Sequence, residues 1–488
     1  MINSNKKILL SEEKKKLIPK PVWKIFKTFA SKGYEIYLVG GGVRTVLGGD
    51  KSHDCDLTTN ASPEVIQGLF DDSFYDNQFG TVGIPVRSGK KEEVYEITTY
   101  RTEEGYADRR HPDRVRWGES LEEDLKRREL TFNAIVIGPA LTKKTPGKPS
   151  EWDGKSLEMI DLFGGQKDFK DKLVRTVGDP NQRFAEDALR MIRAIRFAAQ
   201  LGFIIEGQTL AAIQNNAALI QQISAERIRD ELFKILGSNY PYEGYVFLRN
   251  SGLAQKILPE VENCFDVQQK SPGRHHIHDV GVHSLLSMKL VPSKDPLVRL
   301  ATLLHDVGKP ATRQVEESGL VTFHNHEIIS TSIAYNVGKR LRLSKKQLKK
   351  LTTLVRWHQF TVNERQSDKA IRRFIRRVGK ENLEAMLALR VGDRLGGGAR
   401  ETSWRLERFK KRLTEVQKQP FTVKDLKING HEIMEFLKIN PGPLVGKILA
   451  GLFTEVEKGK LENQREALLK KAKEINSSIF NQEEERKK

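Results

Sequence analysis

The sequence predicts an α+β chain: a small N-terminal α/β domain followed by helical regions. Three observations carry this. Short apolar runs with strand character, YEIYLVGGG, DCDLTT and EEVYEITTYR, are confined to the first third of the chain. From FAEDALRMIRAIRFAAQLGF onward, apolar residues recur at spacings of three and four, the period of a helix buried on one face. The chain has 488 residues, too many for a single hydrophobic core.

In order, YEIYLV enters a glycine turn, DCDLTT is a second short strand, and EEVYEITTYR is a third with partial alternation. Residues 22–165 are therefore read as the α/β head. Breaks bearing Gly or Pro near 237–242, 271–273 and 396–398 divide the remainder. They delimit a helical neck at 166–250, a histidine-rich helical domain at 251–400 and a C-terminal helical region at 401–488. The charged start, MINSNKKILLSEEKKK, lacks the apolar stretch of a secretory signal. No apolar run approaches the ~20 residues that span a bilayer, so no membrane partner is expected. Cys55 and Cys264 are the only cysteines, which argues against a disulfide framework or a cysteine zinc site. A reducing cytoplasm fits this usage. The 83 Lys and Arg against 64 Asp and Glu give a formal charge of +19, an excess that favours a polyanionic partner.

Two clusters carry chemistry. In the first, Asp54 and Asp56 are two apart in a strand, so both side chains project from one face. Two carboxylates converging on one point repel unless a cation lies between them, and an all-oxygen set favours Mg²⁺. Upstream, Gly40, Gly41 and Gly42 form a turn whose bare backbone can approach a triphosphate. Val43 and Arg44 then open a helix whose amides favour anions. In the second cluster, eight of the eleven histidines fall between residues 275 and 358. Neutral imidazole is a common transition-metal ligand.

The first pattern resembles the nucleotidyltransferase superfamily that includes DNA polymerase β. The resemblance narrows with LVGGGVRTVLGGDKSHDCDLTT, TTYRTEEGYADRRHPDRVRW, DLKRRELTFNA, VGDPNQRFAEDALRMIRAIRF and AERIRDELFKIL. Over residues 36–236 these resemble, in order, the motifs of class II tRNA nucleotidyltransferases, the CCA-adding enzymes, with bacterial poly(A) polymerase as close kin. The resemblance implies a polymerase β-like head, a mixed sheet with helices, that extends tRNA 3′ ends from CTP and ATP. It implies two Mg²⁺ ions on Asp54 and Asp56, with Glu96 as a possible supporting carboxylate. Gly41, Gly42, Arg44, Arg127, Arg128 and Asn133 would bind the nucleotide's triphosphate and sugar. In the family pattern most members carry Asp after the Arg pair, where this chain has Glu129.

Asp187 and Arg190 are three apart and are expected on one helix face. A carboxylate accepts from an exocyclic amine, and a guanidinium donates to ring acceptors. Cytosine and adenine offer that pairing, whereas uracil and guanine place a carbonyl where the amine is needed. Side chains would thus serve as template, which the resemblance also implies. Arg193 continues the basic row as a further nucleotide-binding residue. Arg196 has drifted nearly opposite Asp187 and is expected to pair an acidic neighbour or meet RNA. Arg101, Arg109, Arg110, Arg114 and Arg116 surround a stretch that the family uses to add the terminal A.

The order His283, His305-Asp306, His326, His358, Asp393 resembles the HD-domain phosphohydrolases. That resemblance implies a site for one or two transition-metal ions and phosphate ester hydrolysis. His278 competes with His283 as first ligand, and His275, His276 and His324 are read as solvent-facing. Gly442, Pro443 and Gly446 open a helix in a C-terminal region that resembles the family's RNA-contacting end. The alternatives are A-only addition or poly(A) polymerase, an HD phosphohydrolase with an inactive head, and a non-catalytic RNA chaperone.

Overall fold

The computed structural model describes residues 7–48, 55–77, 80–88, 91–104, 114–117, 120–141, 151–269, 278–360, 363, 366–417, 423–458 and 460–485. These form two compact units, one of Met1–His358 with Ala388–Ala399, the other of Gln359–Leu387 with Arg400–Lys488.

The first unit begins with strands β1 (Lys7–Leu9), β2 (Ile36–Val39), β3 (Asp56–Thr59), β4 (Phe74–Asn77), β5 (Thr81–Ser88) and β6 (Lys91–Thr99). The short pair β7 (Arg101–Glu104) and β8 (Arg114–Trp117) follows, then β9 (Ile135–Pro139) and β10 (Leu157–Asp161). Eight of these make one mixed sheet in the order β1-β10-β9-β2-β3-β6-β5-β4. All its pairings are antiparallel except β3 with β6. Strand β2 is apolar at every position and buried throughout, as expected of a strand covered on both faces. Tyr37 and Val39 join Tyr100, Leu125, Val136 and Ile160 in one core.

The β2–β3 register pairs Val39 with Asp56, so the end of one strand meets the start of the other. This places the glycine turn beside the carboxylate. Gly40 has φ +63°, and a Cβ there would lie 3.3 Å from Asp56 Oδ2. The turn thus needs glycine for its backbone angle and for its closeness to Asp56.

Beyond the sheet the unit is mainly helical, as the apolar periodicity predicts, with short strand pairs at Leu173–Val174 with Ile204–Ile205 and Arg313–Val315 with Val321–Phe323. Its helices include Pro180–Glu186, Leu189–Leu201 and Ala225–Leu236, then Val280–Leu290, Pro296–Leu304, His326–Arg340 and Lys345–Trp357. The second unit is also helical. Phe360, Phe374 and Phe409 cluster in one part of it, and Ile433, Ile448, Leu452 and Leu468 form a core in another. A helix begins at Pro443, immediately after Gly442. Among the described residues, no helix is long and apolar enough to cross a membrane. Cys55 and Cys264 are buried and are not joined in a disulfide.

Candidate functional site

Asp54 lies outside the described residues, as do Arg109 and Arg110. Asp56 opens β3 with an exposed side chain, while Leu57 points into the core. Leu57 stands opposite Ile97 on β6, so Glu96 occupies the equivalent exposed step on the neighbouring strand. Asp56 and Glu96 therefore share one edge of the sheet. Oxygen donors of this kind suit Mg²⁺.

From this edge a polar chain runs into the helical part. Arg44, on the helix Gly41–Leu47, donates from Nη1 to Asn133 Oδ1 at 2.6 Å. Asn133 Nδ2 donates to Glu129 Oε1 at 3.4 Å. Glu129 then takes Arg193 in a two-pronged pair, Nε to Oε2 at 2.6 Å and Nη2 to Oε1 at 2.7 Å. Burial pushes the Glu129 carboxyl up, but the guanidiniums of Arg193, Arg196 and Arg190 together outweigh it and hold the group below its ordinary value. The residue that departs from the family pattern is thus gripped by Arg193, itself expected from the sequence to meet nucleotide.

Arg127 and Arg128 converge on a residue the sequence reading passed over. Asp124 has a fully buried carboxylate that accepts from Arg127 Nε at 3.0 Å and Arg128 Nη2 at 3.1 Å. Burial raises the Asp124 carboxyl, and the two guanidiniums more than reverse this. Its spacing of three and four residues before the arginines was the available signal.

Asp187 and Arg190 do not share an uninterrupted helix. The helix Pro180–Glu186 ends at Asp187, whose backbone is extended (φ −140°, ψ 107°), and the next begins at Leu189. The physical reason is local capping. Asp187 Oδ1 accepts the Leu189 N–H at 2.9 Å, satisfying an amide that the new helix leaves unpaired. The second oxygen accepts Arg227 Nη2 at 3.0 Å, and Arg190 Nη1 donates to Glu186 Oε2 at 2.8 Å. Arg196 pairs with buried Glu231 at 3.2 Å, an acidic neighbour, which is one of the two roles expected for it.

The histidine cluster assembles from five elements, with all its ligands within the first unit. His283 lies on Val280–Leu290, a helix capped by Asp279. His305 ends Pro296–Leu304, His326 begins its helix, and His358 ends Lys345–Trp357. Asp393 comes from Leu383–Gly396. Glycines permit the close approaches. A Cβ at Gly308 would meet the His326 carbonyl oxygen at 2.5 Å, and one at Gly396 would meet Ser287 Oγ at 2.2 Å. His278 is half-buried and His324 exposed, while His275 and His276 lie outside the described residues.

Two ligand triads result, His283 with His305 and Asp393, and Asp306 with His326 and His358. Asp306 faces both: Oδ2 is 3.2 Å from His305 Nε2, and Oδ1 is 3.2 Å from His326 Nε2. The Nδ1 atoms of His305, His326 and His358 lie 2.6, 2.8 and 2.7 Å from the carbonyls of Thr302, Phe323 and Val355. A carbonyl only accepts, so each Nδ1 carries the proton. In the neutral imidazole Nε2 is then left as a lone pair aimed inward. His326 and His358 bring their Nε2 atoms within 3.4 Å. Converging lone pairs and carboxylates fit a divalent cation with mixed nitrogen and oxygen ligands. Buried Lys309 also reaches Asp306 Oδ2, at 2.7 Å, and Gln269 Oε1, at 2.9 Å. Neither was singled out in the sequence, although Lys309 follows Asp306 by one helical turn.

Comparison with known proteins agrees with this architecture. Residues 36–175 match the poly(A) polymerase head domain family. Residues 202–265 match a family named for an RNA- and SrmB-binding site of polymerase A, and 322–472 match tRNA nucleotidyltransferase domain 2. A CCA-adding enzyme of Limosilactobacillus reuteri is 31% identical over 463 residues, covering 93% of this chain and 96% of that protein. One from Levilactobacillus brevis is 32% identical over 447 residues, covering 91% and 95%. The crystal structure of the Bacillus stearothermophilus CCA-adding enzyme in complex with CTP aligns with a TM-score of 0.63 at 25% identity. It covers 95% of this chain and 100% of the other. On the ordered motifs, the head fold and these full-length matches, the chain belongs to the CCA-adding enzymes, the class II tRNA nucleotidyltransferases.

Proposed function

We propose that this protein adds the 3′-terminal CCA to tRNA from CTP and ATP without a nucleic-acid template. The observation that carries this is the continuous polar chain Arg44–Asn133–Glu129–Arg193, which ties the glycine turn beside Asp56 to the helix that follows Asp187. It supports reading the triphosphate-binding and base-reading candidates as parts of one connected frame. Arg127 and Arg128, steadied by Asp124, add positive charge for the triphosphate. Mg²⁺ held by Asp54 and Asp56, with Glu96 in support, would lower the pKa of the RNA 3′-hydroxyl and steady the departing pyrophosphate. Asp187 accepts the exocyclic amine of cytosine or adenine, and Arg190 donates to the adjacent ring nitrogen. The head is read as 22–165, the neck as 166–250, and the C-terminal region as a tRNA-binding surface. A cytoplasmic location belongs to the same reading and is supported by the two buried cysteines, which form no disulfide.

A second activity is favoured by one specific observation. The six ligands His283, His305, Asp306, His326, His358 and Asp393 converge with three imidazole tautomers set by backbone carbonyls. We assign this HD-type centre to metal-dependent phosphate ester hydrolysis. A divalent transition metal held by these residues would supply an activated water. The test uses purified protein with tRNAs ending before, within and after the CC step, given CTP, ATP or both. Ordered addition of C, C and A supports the reading. An open-ended A ladder contradicts it.

A further inference from the structure

Two cations touch ligand carboxylates of the histidine centre, and they differ in their access to solvent. Lys309 Nζ bonds Asp306 Oδ2 at 2.7 Å, and both side chains are buried. Arg390 stands one turn before Asp393 on Leu383–Gly396 and donates from Nη1 to Asp393 Oδ2 at 3.2 Å. These two side chains are 26% and 21% exposed, whereas the other five ligands are only 1–4% exposed. The centre therefore meets solvent at Asp393, beside a guanidinium. We infer that Arg390 is a substrate-binding residue of this centre, which takes a phosphate oxygen of the ester as it enters past Asp393. The inference rests on the proposed reading of the centre as a phosphate ester hydrolase.

Three points support it. The oxygens of Asp393 are divided between two tasks. Oδ1 lies 3.2 Å from His283 Nε2 and 3.6 Å from His305 Nε2, among the ligand atoms of its triad. Oδ2 takes Arg390, so the guanidinium leaves the metal-facing oxygen to the imidazoles.

Secondly, the chemistry of the cation suits a phosphate. A guanidinium is planar, stays charged at any working pH and binds phosphate oxygens through paired N–H groups. It carries five donors, enough for a carboxylate and a phosphate together. Lys309 is committed inside the fold: its ammonium also donates to Gln269 Oε1 at 2.9 Å, and Gln269 is itself buried. Lys309 thus serves as an inner counter-charge to Asp306, and Arg390 is the cation that an arriving anion meets.

Thirdly, the wall beside Asp393 is bare. Gly397 follows Asp393 by one turn, and its amide donates to the Asp393 carbonyl at 3.0 Å. A Cβ there would stand 3.8 Å from His283 Cε1, so a side chain would crowd the approach to that ring. Arg390, Asp393 and Gly397 recur at steps of three and four, which sets cation, ligand and gap along one face.

The test compares full-length wild type with Arg390→Met and Arg390→Lys. Mn²⁺ binding to chelator-treated protein is measured by calorimetry, and inorganic phosphate is then titrated into the Mn²⁺-loaded protein. Hydrogen bonds between charged groups typically alter equilibria by about tenfold or more. The Met variant is expected to bind Mn²⁺ nearly as tightly as wild type and phosphate about tenfold more weakly. The Lys variant should recover part of the phosphate affinity. In phosphate ester hydrolysis, the Met change should raise KM more than it lowers kcat. Unchanged phosphate affinity in the Met variant, or wild type that binds no phosphate, would overturn the inference. So would Mn²⁺ and phosphate affinities that fall by the same factor, since Arg390 would then only support Asp393. Failure of the underlying reading is visible separately, as Mn²⁺-loaded wild type that binds phosphate but hydrolyses no phosphate ester.

Discussion

Glu129 grips Arg193 with both carboxylate oxygens, at 2.6 and 2.7 Å, across 64 residues of sequence. Shortening Glu129 to Asp withdraws the carboxylate by one methylene and cannot keep both contacts. Removing one partner of a buried pair typically costs about 3–5 kcal/mol. Arg193 is 38% exposed, so solvent screening brings Glu129→Gln to roughly 2 kcal/mol. Urea denaturation is expected to show that loss. CCA addition should fall by tenfold or more, because Asn133 and Arg44 lose their anchor.

Asp124 makes a pH-dependent contribution of defined sign. Its folded carboxyl lies below the ordinary value because Arg128 and Arg127 outweigh burial. Its stabilisation is therefore full above the unfolded aspartate pKa of about 3.9, and it is lost as pH falls through the lower folded value. The stability gap between wild type and Asp124→Asn should be large and flat from pH 7 to about pH 5, and shrink as pH falls below about 4. A gap that is constant across this range would count against the assignment.

In the histidine centre, metal should stabilise the fold. Ligand binding to the native state alone contributes about 2.7 kcal/mol when its concentration is a hundred times Kd. Adding Mn²⁺, Co²⁺ or Ni²⁺ to chelator-treated protein should raise Tm, and Asp306→Ala should abolish the rise. The same substitution should remove phosphate ester hydrolysis while leaving CCA addition intact.

Gly396 offers a steric test of how Asp393 reaches that centre. A Cβ at this position would lie 2.2 Å from Ser287 Oγ and 2.6 Å from Ser287 N. Overpacking of this kind costs about 1–3 kcal/mol. Gly396→Ala should lower Tm and weaken metal binding together, since Asp393 lies one turn earlier on the same helix. Metal affinity unchanged in calorimetry would show that the close approach is not needed.

What the sequence revealed follows the range of each interaction. The strands β2, β3 and β6 were legible because alternation and glycine punctuation are local. So was the order of the histidine ligands, although only the fold shows Asp306 facing both triads. The joint at Asp187 was misread as continuous helix because the apolar period runs through it. Its signal was an Asp two residues before a new helical run, an N-cap placement that competes with continuation. Asp124 and Lys309 also had local signals, at spacings of three and four. Glu129 with Arg193, and Arg227 with Asp187, are pairings between distant segments, and nothing in either segment names its partner.

The measurement that bears most directly on the central claim is single-turnover extension of a tRNA lacking its 3′ end, with CTP and ATP supplied together. The account predicts addition of C, C and A followed by arrest, with Asp54→Ala and Asp56→Ala each abolishing it and sparing phosphate ester hydrolysis. Continued adenylation past the first A, or addition that survives loss of both carboxylates, would contradict it.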